Sequence, residues 1–321
     1  MLNKIKNKIL ISLAFAGVVY LAFSIYANFD NVISAFQSFN WLWLPLLLLL
    51  SFANYTVRFF KWDYYLSITK VEIGKVDSFS IFMSGLIMSI TPGKVGELLK
   101  AYLVKQIKNI PISKTAPIIF AERITDSTSL LIISVIGAYS FSYGKDIEVI
   151  ISIFLALIIV IISNKKIVLT ILKLLEKNRF LNKHLEKIHN AYESSYQLLR
   201  PLPLFYMTIV SLISWSFECL SYYLILTIFK IDINVLWASF SYAFATVVGA
   251  VSMLPGGLGV TEGSLTFLAI NEGISKEIAV ASTFIVRIVT LWFAIFVGII
   301  SVSFYQKRFG KVSIESISNQ L

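Results

Sequence analysis

The 321-residue chain has one cysteine, two histidines, seven prolines and little charge. Its single thiol, Cys219, lies in an apolar run, which excludes a disulfide framework and a cysteine-based metal cluster. His184 and His189 are not spaced to share one helical face, and no carboxylate motif accompanies them, so no metal and no cofactor is expected. Charged residues make up 14% of the chain and hydrophobic ones 57%, whereas soluble domains carry roughly 25% charge. A soluble fold of this length has too little interior to hide that much apolar surface. Disorder, a secreted enzyme and a pair of soluble domains are thereby excluded, and an all-α integral membrane protein is expected.

What is present is a series of apolar runs. Crossing a bilayer as a helix takes about 20 mostly apolar residues. Runs over 9–29, 40–60, 116–141, 147–163, 202–229 and 277–305 read as about six full transmembrane helices. The first follows Lys4, Lys6 and Lys8 and lacks a small-residue cleavage site, so it reads as an uncleaved helix. Two other runs stop early. Ser78 to Thr91 ends at Pro92-Gly93-Lys94-Val95-Gly96-Glu97, and Asn234 to Leu254 ends at Pro255-Gly256-Gly257-Leu258-Gly259. A short apolar stretch follows each, at 98–104 and 264–270. Both therefore read as broken or re-entrant helix pairs.

Charge placement orients these segments. With each broken element entering and leaving on one side, one face collects 23 basic residues, Arg58, Lys61 and Lys100 among them. The other face holds three: Lys145, Lys230 and Lys276. The positive-inside rule puts the crowded face and both termini in the cytoplasm of a multi-pass cell-membrane protein. The net charge of +10 is then a topology signal, and no nucleic acid is expected as a partner. Within 164–200, Leu181, Leu185, Ile188, Tyr192 and Leu199 recur at helical spacing beneath a basic face. That segment reads as an amphipathic cytoplasmic linker at the inner leaflet.

The two halves resemble each other. Ser78-Phe79-Ser80 and Ser239-Phe240-Ser241 precede the breaks, Pro92-Gly93-x-x-Gly96-Glu97 parallels Pro255-Gly256-x-x-Gly259-x-x-Glu262, and Arg123 parallels Arg287. Three crossings separate the breaks, so equivalent elements point in opposite directions. The chain reads as a single polytopic domain over 1–321, with a first repeat over 9–142 and a second over 147–306. Inverted repeats around broken helices fit a transporter, whereas a structural protein could retain them as residue of duplication.

The polar residues refine that reading, because a charge at the bilayer centre costs roughly 2.5–3.5 kcal/mol on insertion scales. Glu122, Arg123 and Asp126 share one span, with Arg123 placed to pair with Asp126. Arg287 needs a partner from another element, and Glu262 and Glu218 are the candidates. At the breaks, Gly93, Gly96, Gly256, Gly257 and Gly259 let the backbone approach a ligand, and the following half-helix N-termini favour an anion. Lys94 and Lys100 flank the inner break and suit a phosphate, although the positive-inside rule accounts for them equally. Glu97 and Glu262 could hold an amine, carry a proton or cap backbone N–H groups.

Pro92–Glu97 with Lys100, Glu122-Arg123-x-x-Asp126 and Leu254–Gly263, together with Arg58 and Trp62, resemble the flippase-like membrane domain of lysylphosphatidylglycerol synthases. The likeness runs from about Leu10 to Phe304. It implies a domain that moves lipids between leaflets. In the two-domain relatives a soluble aminoacyl-transferase follows, whereas this chain ends at Leu321, so lysine transfer is not expected. The expected function is a lipid flippase or translocase, not an enzyme, for a phospholipid, an aminoacylated lipid or a lipid-linked glycan carrier. Lys94, Glu97, Lys100, Glu122, Arg123, Asp126, Glu262 and Arg287 are the expected substrate-binding residues. Two alternatives stand beside it: a non-transporting scaffold for a lipid synthase or glycosyltransferase, and a membrane enzyme of lipid-linked sugar metabolism. The expected partners are a membrane lipid, a lipid-modifying enzyme and further copies of the chain.

Overall fold

The computed structural model describes residues 2–91, 96–141, 153 and 193–310. The first Pro-Gly break, residues 92–95 with Lys94, lies outside the described residues. So do the run at 147–163 (residue 153 excepted) and the linker up to residue 192.

The described residues form helices and no strand. In chain order these are α1 (Leu2–Tyr26), α2 (Phe29–Ser38), α3 (Leu44–Ile68), α4 (Lys75–Gly85), α5 (Leu99–Lys108) and α6 (Ile112–Phe141). After the undescribed stretch come α7 (Pro201–Ile228), α8 (Val235–Val251), α9 (Val260–Asn271), α10 (Lys276–Arg287) and α11 (Phe293–Phe309). Single 3-10 turns occupy Trp41–Trp43, Leu86–Ile90 and Pro255–Gly257, and a π turn over Ile288–Trp292 joins α10 to α11.

Among the described residues, three helical stretches are long and apolar enough to cross a bilayer: Trp41–Ile68, Pro201–Ile228 and Lys276–Phe309. The first apolar run forms α1 but is not helical to its end. The helix stops at Tyr26, and the chain bends by 98° into α2. Asn28 makes the bend, because it adopts a left-handed φ of 65° and its side chain accepts from the Asp30 N–H to start α2. Leu13, Leu21, Leu49, Phe60, Phe205, Ile213, Phe296 and Ile300 are exposed, as expected of surface that faces lipid.

The second span also departs from the sequence reading. The apolar run ends at Phe60, but α3 continues to Ile68 and carries Arg58 and Lys61 inward, both buried. Lys100 on α5 is buried as well. These three are interior charges, not loop charges, and removing them from the 23 leaves 20 against 3.

One order of elements occurs twice. A long helix ends in a tight turn, a shorter helix follows, then a 3-10 turn, a short helix and another long helix. The turns match closely. Lys70 and Lys230 have φ of 53° and 62°, and behind them Val71 N–H donates to Leu66 O and Ile231 N–H to Leu226 O. Both are the six-to-one closure of a Schellman turn. The packing crosses between the halves. α3 lies against α7, α6 packs on α7 and α8, and α11 packs on α4 and the Leu86–Ile90 turn. Gly298 makes the last contact close, since a Cβ there would overlap the Ile87 backbone. Among the described residues, most of the core falls into two large apolar clusters, with two smaller ones beside α1. One large cluster surrounds Trp237, Tyr222 and Phe240 but takes in Leu47 and Leu130 from the first half. The other surrounds Trp62, Tyr65 and Phe82 and takes in Ala294 and Tyr305 from the second.

Candidate functional site

Charged side chains inside these helices are affordable only in pairs or networks. The larger network is built from α6 outward. Asp126 lies within the 30-residue α6 and gathers three cations. Lys61 Nζ is 2.5 Å from its Oδ1, Arg123 Nη2 is 3.0 Å from Oδ2, and Arg58 Nη2 is 3.5 Å from Oδ2. Lys61 also donates to Ser211 Oγ at 2.7 Å and Thr125 Oγ1 at 3.2 Å, while Ser211 donates back to Asp126 Oδ1 at 3.0 Å. From Arg123 the chain of charges continues to Glu97 at 3.2 Å. Lys100 lies 3.6 Å from Glu97 and 2.5 Å from Glu122, over the rings of Trp62 and Phe82. Signs alternate along this path, so each buried charge is flanked by its opposite.

The smaller network sits at the Pro255–Gly259 break. Gly256, Gly257 and Gly259 adopt φ of 60°, 68° and 85°, a region that side-chain-bearing residues avoid, and so turn the chain sharply from α8 into α9. Glu262, on the first turn of α9, uses both oxygens: Oε2 accepts from the Gly259 N–H at 2.7 Å and Oε1 accepts from Arg287 Nε at 2.6 Å. Arg287 also donates to Gly256 O at 2.5 Å. Of its two candidate partners, Arg287 therefore takes Glu262. Glu218 on α7 instead accepts from the Tyr242 hydroxyl at 2.6 Å.

Between the two networks lies a cavity of about 250 Å³. Its charged wall consists of Arg58, Arg123 and Arg287 with Asp126 and Glu218, and Tyr55, Trp215 and Tyr242 add aromatic faces. Gly256 and Gly257 bring that break to the same space. Tyr55 is pinned by donating to Thr290 O at 2.7 Å.

Of the residues expected to bind substrate, Arg123, Asp126 and Arg287 reach this wall. Glu97, Lys100, Glu122 and Glu262 are buried behind it, tied to other side chains. Gly96 belongs to the support too: its N–H donates to Thr91 Oγ1 at 3.0 Å, and Thr91 lines the cavity. Lys61 and the cavity-facing aromatics were missed. The usable signal was Arg58 and Lys61 three residues apart in an aromatic stretch, on the same helical face, in a chain whose α6 segment has carboxylates to match.

One contact relates the halves directly. Asn54 Nδ2 donates to Ser214 O at 2.7 Å across a sequence separation of 160. The same separation relates Arg58 to Glu218 and Lys70 to Lys230.

Comparison with known proteins agrees with this architecture. The profile of the family described as "Lysylphosphatidylglycerol synthase TM region" matches residues 9–298. The chain is 22% identical over 272 residues to a UPF0104 membrane protein of Methanothermobacter thermautotrophicus, covering 76% of this chain and 80% of that one. It is 27% identical over 219 residues to UPF0104 membrane protein MJ1078 of Methanocaldococcus jannaschii, covering 67% and 92%. With MJ1595 of the same organism the identity is 25% over 329 residues, covering 95% and 97%.

Proposed function

The chain belongs to the lysylphosphatidylglycerol synthase TM region family, and from that premise we propose that it is a lipid translocase whose central cavity receives the headgroup. The observation that carries this reading is the convergence of Arg58, Arg123 and Arg287 on one cavity. Guanidinium groups match phosphate oxygens with paired hydrogen bonds. The volume of about 250 Å³ is below the roughly 300–1,000 Å³ of drug-sized sites. A compact headgroup fits while the acyl chains stay in lipid, and a large glycan does not.

The halves act, in this proposal, as an inverted repeat in the cell membrane, with both termini cytoplasmic. Contact between equivalent residues, as at Asn54 and Ser214, is what a two-fold axis between α3 and α7 produces. The exchange of packing partners, α6 with α8 and α11 with α4, supports the same symmetry. The cavity then opens alternately to each leaflet as the elements flanking α3 and α7 rock about that axis. Glu97 and Glu262 serve the arginines: each carboxylate aims a guanidinium at the cavity instead of touching lipid.

The test is reconstitution of the purified protein in liposomes containing phospholipids labelled on an acyl chain. A membrane-impermeant reductant bleaches the outer leaflet, and transport exposes the protected inner pool. Loss of that pool is expected, slowed at least about tenfold by Arg123→Ala or Arg287→Ala, the loss of a charge-assisted contact. If folded protein moves no headgroup at all, the translocase reading fails and a scaffold role takes its place.

A further inference from the structure

α2 lies outside both charge networks, and at 3.6 residues per turn its side chains sort into three sectors. Val32 and Ala35 are buried against the protein, and Val32 shares a cluster with Val280 and Phe284 of α10, with Phe36 beside it. Next around the helix come Phe29 and Ile33, four residues apart and both exposed. The remaining arc carries Asp30, Asn31, Ser34, Gln37 and Ser38, all exposed. A surface helix in water needs only two sectors, an apolar one toward the core and a polar one toward solvent. An additional apolar sector that faces away from the protein fits a third environment, the boundary of a lipid layer.

The surroundings put this helix at the edge of the bilayer. It meets α1 at 98°, so beside a crossing helix it runs along the membrane surface. The turn that follows it presents Trp41, Leu42 and Trp43, and Leu42 is 86% exposed. Trp41 Nε1 donates to Phe36 O at 3.0 Å, which fixes one indole against α2. Indole rings favour the layer where hydrocarbon meets water. The Phe39 ring lies 5.2 Å from that of Phe229, and Lys276 Nζ lies 5.2 Å from the Tyr26 ring. The end of α7 and the start of α10 therefore share the level of the elbow. Arg287 follows Lys276 by 11 residues along α10, about 16 Å at the helical rise. That is about half the thickness of a bilayer's hydrocarbon core. The helix that α2 braces thus carries a cavity arginine at middle depth.

We propose that α2 and the Trp41–Trp43 turn form a docking surface for the lipid headgroup layer, that of the outer leaflet in the orientation proposed above. Phe29, Ile33 and Leu42 insert below the headgroups, and Asp30, Ser34 and Gln37 stay in water. The attachment is apolar. Between Lys8 and Arg58 the only charged residue is Asp30, so anionic lipid is not required. The surface sets the height of α10 in the bilayer and, through it, the depth of Arg287.

Full-length protein in phosphatidylcholine liposomes, carrying a nitroxide on one added cysteine, tests this. Cys219 is buried and does not compete for the label. The label is placed in turn by Ile33→Cys, Ser34→Cys and Leu42→Cys, all at exposed positions that tolerate it. Oxygen concentrates in hydrocarbon and a nickel chelate in water, so their relative collision rates report depth. The labels at Ile33 and Leu42 should favour oxygen, and the label at Ser34 should favour nickel. The same order is expected in vesicles rich in phosphatidylglycerol. Equal nickel contact at all three positions puts α2 in water and overturns the proposal. Protection of Ile33 and Leu42 from both reagents, with spin–spin broadening, overturns it in favour of a second copy on this surface. Insertion that occurs only with phosphatidylglycerol overturns the apolar attachment. None of these readings needs transport, so a failed translocation assay leaves them intact, and their failure leaves the translocase reading standing.

Discussion

The two charge networks face one cavity from opposite sides, and they are built on different scales. The first-half network joins four cations to three carboxylates across α3, α5 and α6. The second-half network is a single pair, Arg287 with Glu262, braced on the backbone of the break. Where the first half has Lys100 and Glu122, the second has Leu265 and Val286, both buried. Apolar packing does in one half what a buried ion pair does in the other. The arginine and its glutamate recur in both halves, and the rest of the network does not. The shared part is an arginine held by a glutamate at the break, and the Lys100–Glu122 pair is an addition of the first half.

The largest effect expected is at Asp126. Asp126→Asn removes the counter-charge of Lys61, Arg58 and Arg123 together, and should cost about 3–5 kcal/mol, the range for stranding a buried charge. Glu262→Gln strands only Arg287, which keeps Gly256 O. Thermal unfolding in detergent, followed by helicity, should rank Asp126→Asn well below Glu262→Gln. The reverse ranking would break the comparison.

Lys100 and Glu122 sharpen it. Lys100→Leu and Glu122→Val each leave one charge behind and should each destabilise by about 3 kcal/mol or more. The double substitution copies the second half, and most of that loss should return. A double variant as unstable as either single one would show that the pair does more than fill space.

A smaller effect is expected at the Pro255–Gly257 turn. Gly257→Ala forces a side chain into a left-handed φ of 68° and against Thr261 Oγ1. It should cost about 1 kcal/mol in backbone terms, and slow lipid movement more than it lowers the melting point. Smallest of all is Arg308→Ala, which removes an ion pair with Asp77 whose arginine is half exposed. A shift beyond about 1 kcal/mol there would contradict the weakness of surface pairs.

Much of the helix order was legible because a membrane leaves few ways to satisfy a backbone. The apolar runs locate α7, α8 and the continuous α10–α11 stretch to within a few residues, and Pro255-Gly256-Gly257 marks a sharp turn because its residues bring a fixed ring and two positive φ angles. The pairing of Arg123 with Asp126 was legible too, since they are one turn apart. What was not legible depends on distance in sequence. A count of apolar residues closes the second span at Phe60, and no local rule says that Lys61 meets Ser211 and Asp126, 150 and 65 residues away. Lys100 obeys the positive-inside rule so well that its burial leaves no trace in the sequence. Tyr242 was invisible because its partner, Glu218, lies across a turn on another helix.

The crossed packing of the halves has a consequence for how the chain is made. The Tyr305 hydroxyl donates to Leu103 O across 202 residues, and Gly298 seats α11 against the turn that follows α4. The wall that α4 needs is therefore made long after α4 itself. During synthesis the early helices must wait in the bilayer with charges inserted and their far partners not yet made. Contacts this distant in sequence form slowly, so the first half is completed only when α11 arrives, and a chain cut short before α11 has no finished half to fall back on.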